Sequence, residues 1–193
     1  MVEKIKKIIE NSIATKQELL NQSEMIDKIV GVCVKALKNG NAIYWCGNGG
    51  SAADAQHLAA ELSGRFYYDR DPLPSDALHC NTSYITAVGN DYGYDVIYSR
   101  LIKGIGKKGD VLIGLSTSGK SKNVVNAFNE ARNMGITTIG FTGKNSNSFE
   151  TSCDLIMNAP STDTPRVQEC HMLVGHIVCQ LIENKIFPNE TNV

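Results

Sequence analysis

Apolar residues along the 193-residue chain fall into two kinds of pattern. The first is helical. Val2, Ile5, Ile8, Ile9 and Ile13 recur with lysines and glutamates between them, which predicts an amphipathic helix over 1–21. Ile26, Ile29, Val30, Cys33 and Leu37 continue the stripe until Asn39-Gly40-Asn41 ends it. The second pattern is the short apolar run of strand length: 42–46, 77–80, 111–115, 136–141 and 154–157. Between these runs lie further helical stretches. They are 52–62, a short segment at 82–88 broken by Gly89-Asn90-Asp91, 95–105, 122–134 ending at Gly135, and 166–186 stopped before Pro188. Residues 67–75 and 143–148 read as surface loops.

Strands alternating with helices predict an α/β fold with a doubly wound parallel sheet. Ligands in such sheets bind outside the carboxyl ends of the strands. The two N-terminal helices precede the first strand and stand outside this alternation. Their apolar stripe must be buried on the domain or on another subunit. A subunit contact is favoured, since helical hairpins of this kind build bundles.

The rest of the composition narrows the class. One domain is expected for this length. A hydrophobic fraction of 42% with a mean hydropathy of −0.17 describes an ordinary water-soluble globule. A formal net charge of −1 makes no electrostatic case for nucleic acid or an anionic membrane. No apolar run reaches bilayer length, and residues 1–12 have no secretory h-region. The six cysteines form no CxxC pair, so buried free thiols in a reducing cytoplasm are expected.

Candidate chemistry gathers first at 42–66. The apolar run is followed at once by Gly47-Asn48-Gly49-Gly50-Ser51, and then by a strong helix former in which Ser51 is the expected N-cap. Glycines there let the backbone approach a ligand closely. Free N–H groups and the positive end of the helix dipole then point at one place, which suits a phosphate or a carbonyl oxygen. A tight strand-to-helix turn is the plainer reading. On the same helix His57 and Glu61 are four apart and share a face. An exposed pair of no consequence is common. Here the flanking Ala and Leu residues and the nearby glycine turn favour acid–base work or half of a metal site.

Residues 114–121 read GLSTSGKS and formally match the nucleotide P-loop pattern. Gly114, however, lies inside an apolar run, and no later strand ending in a magnesium-binding Asp stands out. Ser116, Thr117, Ser118 and Ser121 instead supply hydroxyls for a phosphate cradle; a polar turn is the alternative. The last helix holds Gln168, Glu169, His171 and His176. Helical spacing puts Glu169, rather than Gln168, nearly in line with His176. A satisfied core histidine is the plain reading of His176. Asn90-Asp91 reads most simply as a turn.

Taken together, CGNGGSAADAQHLAAELSGRF, AVGNDYGYD, LSTSGKS and TPRVQECHMLVGHIVCQLIE, with the N-terminal helix pair, resemble the sugar isomerase (SIS) domain family across nearly the whole chain. The resemblance implies a flavodoxin-like three-layer αβα sandwich with a central parallel sheet, preceded by the N-terminal helices at 1–40. It implies a cytoplasmic homotetramer whose active sites lie at subunit interfaces. The implied activity is aldose–ketose isomerisation of sedoheptulose 7-phosphate to D-glycero-D-manno-heptose 7-phosphate, supplying lipopolysaccharide core or capsule. On this resemblance Asn48, Gly49, Gly50 and Ser51 contact the sugar, Ser116, Thr117, Ser118 and Ser121 hold the phosphate, and Arg65, Asn90 and Asp91 line the site. His57, Glu61, Gln168 and His176 bind one zinc ion per subunit, with Glu61 and His176 also the acid–base pair. Lys120 stands where Asn is commoner in such loops, and Pro165 where an acidic residue often precedes the Arg. The resemblance also admits non-catalytic alternatives: a relative that binds the bacterial replication initiator and lacks the catalytic pair, and sugar-phosphate sensors that carry an attached DNA-binding domain.

Overall fold

The computed structural model describes residues 1–188; the last five residues of the expected domain, 189–193, lie outside it. Five parallel strands, β1 (Ile43–Gly47), β2 (Ser75–Ala77), β3 (Val111–Ser116), β4 (Thr137–Thr142) and β5 (Leu155–Asn158), form one sheet in the order β2-β1-β3-β4-β5. This is the flavodoxin-like order, and its switch point lies between β1 and β3. Pairing of Gly47 with Leu115 puts the ends of these two strands side by side. The two glycine- and serine-bearing loops therefore leave the same edge of the sheet from neighbouring strands.

Eight α-helices accompany the sheet among the described residues: α1 (Val2–Glu18), α2 (Ser23–Lys38), α3 (Gly50–Ser63), α4 (Thr82–Tyr92), α5 (Ile97–Ile105), α6 (Lys122–Asn133), α7 (Phe149–Ser152) and α8 (Thr164–Ile186). Both faces of the sheet are covered, as all-parallel sheets require. On one face, Ile43, Trp45, Ile113, Leu115 and Phe141 pack with Ile29 and Val30 of α2, Leu58 and Leu62 of α3, and Val174, Val178 and Ile182 of α8. On the other, Cys46 and Leu112 pack with Ile97, Tyr98 and Ile102 of α5, Phe128 of α6 and Phe149 of α7. The fold is the three-layer sandwich expected from the alternation.

Three local expectations are corrected. The strand expected at 77–80 lies at Ser75–Ala77, where the Trp45 indole N–H reaches Ser75 Oγ at 3.0 Å. The helix expected to break at Gly89-Asn90-Asp91 continues through them to Tyr92 and stops at Gly93, whose φ of 89° only glycine adopts easily. The segment at 67–75 reads as a charged surface loop, yet it buries Arg70 and Leu73.

Gly114 sits within β3, opposite Gly140 of β4. A Cβ on Gly114 would lie 2.5 Å from Val124 and Phe128, and one on Gly140 2.6 Å from Phe149. These glycines make room for the edge-to-face Phe128–Phe149 pair, whose centroids are 5.1 Å apart. The P-loop resemblance is thus a packing coincidence, because its first glycine is a strand residue under α6.

His171 of α8 is fully buried, 6.0 Å from the Phe141 ring, and neither ring nitrogen has a hydrogen bond of good geometry. Burial pushes its pKa down to about 4, against a smaller opposing pull from the Thr142 carbonyl. Between that value and the ordinary histidine value, the unfolded chain binds a proton that the folded chain refuses. Stability is therefore lost as pH falls through this window, by up to about 3 kcal/mol. Urea midpoints at pH 7 and pH 4.5 should differ by less in His171→Phe than in the wild type; an unchanged difference would exclude His171 as the source.

Candidate active site

The turn after β1 is built by its glycines. Gly49 has φ 56° and ψ −122°, and it is the residue that caps α3, displacing the expected Ser51. Ser51 is instead buried within the first turn of the helix. The amides of Ser51 and Ala52 bond back to the carbonyls of Asn48 and Gly49, both at 3.0 Å. Gly50 lies directly beneath the Gln168 amide of α8: a Cβ there would collide with Nε2. Gln168, not Glu169, therefore faces the glycine turn. Glu169 points to α1, where Oε2 accepts from Ser12 Oγ at 2.6 Å and pairs with Lys16 Nζ at 3.4 Å, while Oε1 takes Arg166. Helical spacing alone favoured Glu169; its hydrogen bonds to α1 and Arg166 commit it elsewhere, and they hold its carboxyl below the ordinary value despite partial burial.

The second loop is tied to the first. Asn48 and Asn123, at the start of α6, exchange reciprocal amide hydrogen bonds of 2.9 and 2.8 Å, and the Tyr94 hydroxyl donates to Asn48 Oδ1 at 3.1 Å. The Tyr98 hydroxyl, its pKa raised by burial, donates to the Gly47 carbonyl. Ser116 and Ser121 Oγ atoms are 2.9 Å apart, closing the serine loop on itself. Thr117, Ser118 and Lys120 line a polar cavity of about 240 Å³ with Lys144 and Asn147. Asn123, Tyr94 and Tyr98 are site-building residues that sequence reasoning missed. A tyrosine in an amphipathic stripe carries no signal that its hydroxyl reaches a distant carbonyl.

His57 and Glu61 meet His176 across the α3–α8 contact. His57 Nε2 lies 2.9 Å from Glu61 Oε1 and 3.4 Å from His176 Nε2, and one donor atom from each residue falls within 4.8 Å of the others. At a tetrahedral zinc with bonds of about 2.0–2.1 Å, neighbouring ligand atoms stand about 3.3 Å apart. Two imidazoles and a carboxylate at these separations fit a divalent metal in chemistry and in spacing. The approach depends on Gly175, because a Cβ there would run into the Leu58 side chain. The His57 side chain is 48% exposed and that of Glu61 23%, so the cluster opens to solvent. Asn90 and Asp91 are exposed at the end of α4 and bond to each other at 2.8 Å; Arg65 is exposed just beyond α3.

A parallel sheet whose switch point carries a glycine loop and a serine loop, with a His/Glu/His cluster on α3 and α8, has the layout of a small-ligand α/β domain. The SIS-domain family profile matches residues 4–143, and the chain belongs to that family. Within it, the chain groups with the phosphoheptose isomerases. It is 49% identical over 182 residues to that of Clostridium acetobutylicum, covering 93% of each chain. It is 47% identical over 191 residues to that of Sulfurimonas denitrificans, covering 97% and 98%. Among solved structures, phosphoheptose isomerase GmhA from Neisseria gonorrhoeae superposes with a TM-score of 0.89 at 38% identity, covering 94% of this chain and 98% of that one. The Francisella tularensis enzyme gives 0.91 at 33%, covering 95% and 98%.

The close helix contact makes its own prediction. Gly175→Val should cost about 1–3 kcal/mol by overpacking against Leu58. It should also separate His176 from His57, weakening any binding of a divalent metal at the cluster, as probed by calorimetric titration with zinc. Unchanged zinc binding in a demonstrably destabilised variant would uncouple the contact from the cluster.

Proposed function

We propose that the protein is an aldose–ketose isomerase interconverting sedoheptulose 7-phosphate and D-glycero-D-manno-heptose 7-phosphate. One observation carries the reading: a carboxylate and an imidazole from α3 and α8 converge, on a helix pair of which α3 begins at the glycine loop that ends β1. The identity to named phosphoheptose isomerases supports it. The reading as a non-catalytic replication-initiator partner finds no support, since both members of the acid–base pair are present.

The reaction moves hydrogen between adjacent carbons. Glu61 takes a proton from C1 of the ketose while His176 gives one to the carbonyl oxygen on C2, producing a cis-enediol. Glu61 then returns a proton to C2, His176 recovers the O1 proton, and the C1 carbonyl forms. The same pair serves both directions. Asn48, Gly49, Gly50 and Ser51 position the sugar, with Arg65, Asn90 and Asp91 at its margin. Ser116, Thr117, Ser118 and Ser121 hold the phosphate, so binding energy remote from the reacting carbons orients them. His57, Glu61 and His176, joined by the Gln168 carboxamide, would hold a zinc ion, which when bound supplies Lewis acidity to the two sugar oxygens. Glu61 must be loosely held there to keep its basicity, and a carboxamide is a weak, adaptable ligand.

We read the chain as one SIS domain in which 1–40 serve assembly into a homotetramer. Ile5, Ile8, Ile9 and Ile13 are each about half exposed on α1. Such a stripe is an interface in waiting. A solvent-open cluster is what an active site completed by a neighbouring subunit looks like in a single chain. No described helix is long and apolar enough to cross a membrane. A cytoplasmic enzyme supplying heptose for lipopolysaccharide core or capsule is consistent with this.

In a coupled assay with sedoheptulose 7-phosphate, Glu61→Gln and His176→Gln should each lower turnover by about 100-fold or more while the tetramer persists. Substantial turnover in either variant would remove that residue from its role. Ile5→Glu combined with Ile9→Glu should shift the native mass toward smaller species and reduce turnover with it; an unaltered tetramer would place the interface elsewhere.

A further inference from the structure

Behind the cluster, the segment after α3 folds over α8 and buries an ion pair. Arg70 Nε donates to Glu183 Oε1 at 3.0 Å, with side chains 1% and 0% exposed. Both terminal guanidinium nitrogens donate to backbone carbonyls. NH2 donates to the Glu61 carbonyl at 2.8 Å, and NH1 is shared among the carbonyls of Leu62 at 2.8 Å, Gly64 at 2.8 Å and Asp71 at 3.0 Å. The carboxylate is equally committed. Glu183 Oε1 also accepts from the Phe66 amide at 3.1 Å, and Oε2 from the Tyr67 amide at 2.9 Å.

One of these bonds ends on Glu61, and another on Phe66, the neighbour of His176. Arg70 holds the main chain of Glu61 itself. Glu183 holds the amide of Phe66, whose ring stacks on His176 with centroids 5.6 Å apart and planes 25° apart. His176 also meets the His57 ring in an edge contact, with centroids 5.2 Å apart. The His176 imidazole is thus in contact both with the ring of Phe66, whose backbone Glu183 holds, and with the ring of His57. Glu183 also sits two helical turns beyond His176 on the same face of α8.

Stability alone is a poor account of such a pair. Desolvating two charges consumes most of what their attraction returns, and well-packed apolar replacements often do as well. What an apolar pair cannot do is donate to the Glu61 carbonyl and accept from the Phe66 amide. We propose that Arg70 and Glu183 are positioning residues: their ion pair sets the relative orientation of the Glu61 carboxylate and the His176 imidazole without touching substrate. This rests on the isomerase reading for its consequence in turnover, but not for its consequence in geometry.

The test is the volume-matched double variant Arg70→Met/Glu183→Leu, with Arg70→Lys beside it. In the double variant kcat should fall by about 10- to 100-fold, since displacements near 1 Å have effects of that order. KM should stay within about threefold, because the loop assigned to the phosphate is untouched. Zinc affinity should fall by about tenfold, as expected when the residues supporting metal ligands are lost. In the metal-free protein the His176 imidazole resonances should move as the Phe66 ring shifts. Arg70→Lys retains the charge but cannot reach all the carbonyls, and should show the same pattern more weakly. It decides the matter if the double variant does not fold. Wild-type kcat, zinc affinity and His176 resonances in a folded variant would overturn the proposal and leave the pair as scaffold. A wild-type protein with no isomerase activity would instead overturn the functional reading, while zinc affinity and resonances would still decide the positioning role.

Discussion

The site depends on how closely α3 and α8 approach. Two glycines permit it. Gly50 admits the Gln168 amide against the start of α3, and Gly175 admits the Leu58 side chain against the middle of α8. With the backbones this near, residues 119 positions apart in sequence bring their imidazoles to 3.4 Å. A side chain at Gly50 would displace the Gln168 amide, and one at Gly175 would press on the buried Leu58 side chain and the α3–α8 contact that holds the His57–Glu61–His176 cluster together. Cores behave as close-packed solids, so this spacing is not adjustable by small amounts.

The sheet supplies the other half of the arrangement. Parallel pairing of β1 with β3 forces both loops to the same edge, and the Asn48–Asn123 amide exchange ties one loop to the helix that follows the other. Amides that satisfy one another fix a geometry as well as an energy. The division of labour we propose follows from this layout. Hydroxyls and helix N-termini at the sheet edge take the charged end of the sugar phosphate, and titratable side chains on α3 and α8 take the carbons. The hydroxyls of the serine loop suit the first task, with Lys120 and Lys144 lining the same cavity.

Much of this was legible in the residues. The alternation of short apolar runs with helical stripes carries the layer order, because each pattern reports which face is buried. The glycine turn before a helix, and His57 and Glu61 one turn apart, follow from local geometry alone. Long-range choices were less accessible. Spacing put Glu169 in line with His176, but Ser12 and Lys16 on α1 draw it away, and only the resemblance pointed to Gln168. Ser51 has the chemistry of a cap, yet Gly49 takes that place because the turn needs positive φ. Arg70 looks like a solvated loop charge; its partner Glu183 lies on another element, and no local pattern joins them.

The central claim is that Glu61 and His176 act as one unit on the same substrate. A double-mutant cycle in kcat/KM on sedoheptulose 7-phosphate tests it most directly. Groups that share one proton-transfer sequence are strongly non-additive. The account predicts that Glu61→Gln/His176→Gln loses little more than the worse of the two single variants. Losses that simply multiply would mean that the two residues act independently, and would contradict it.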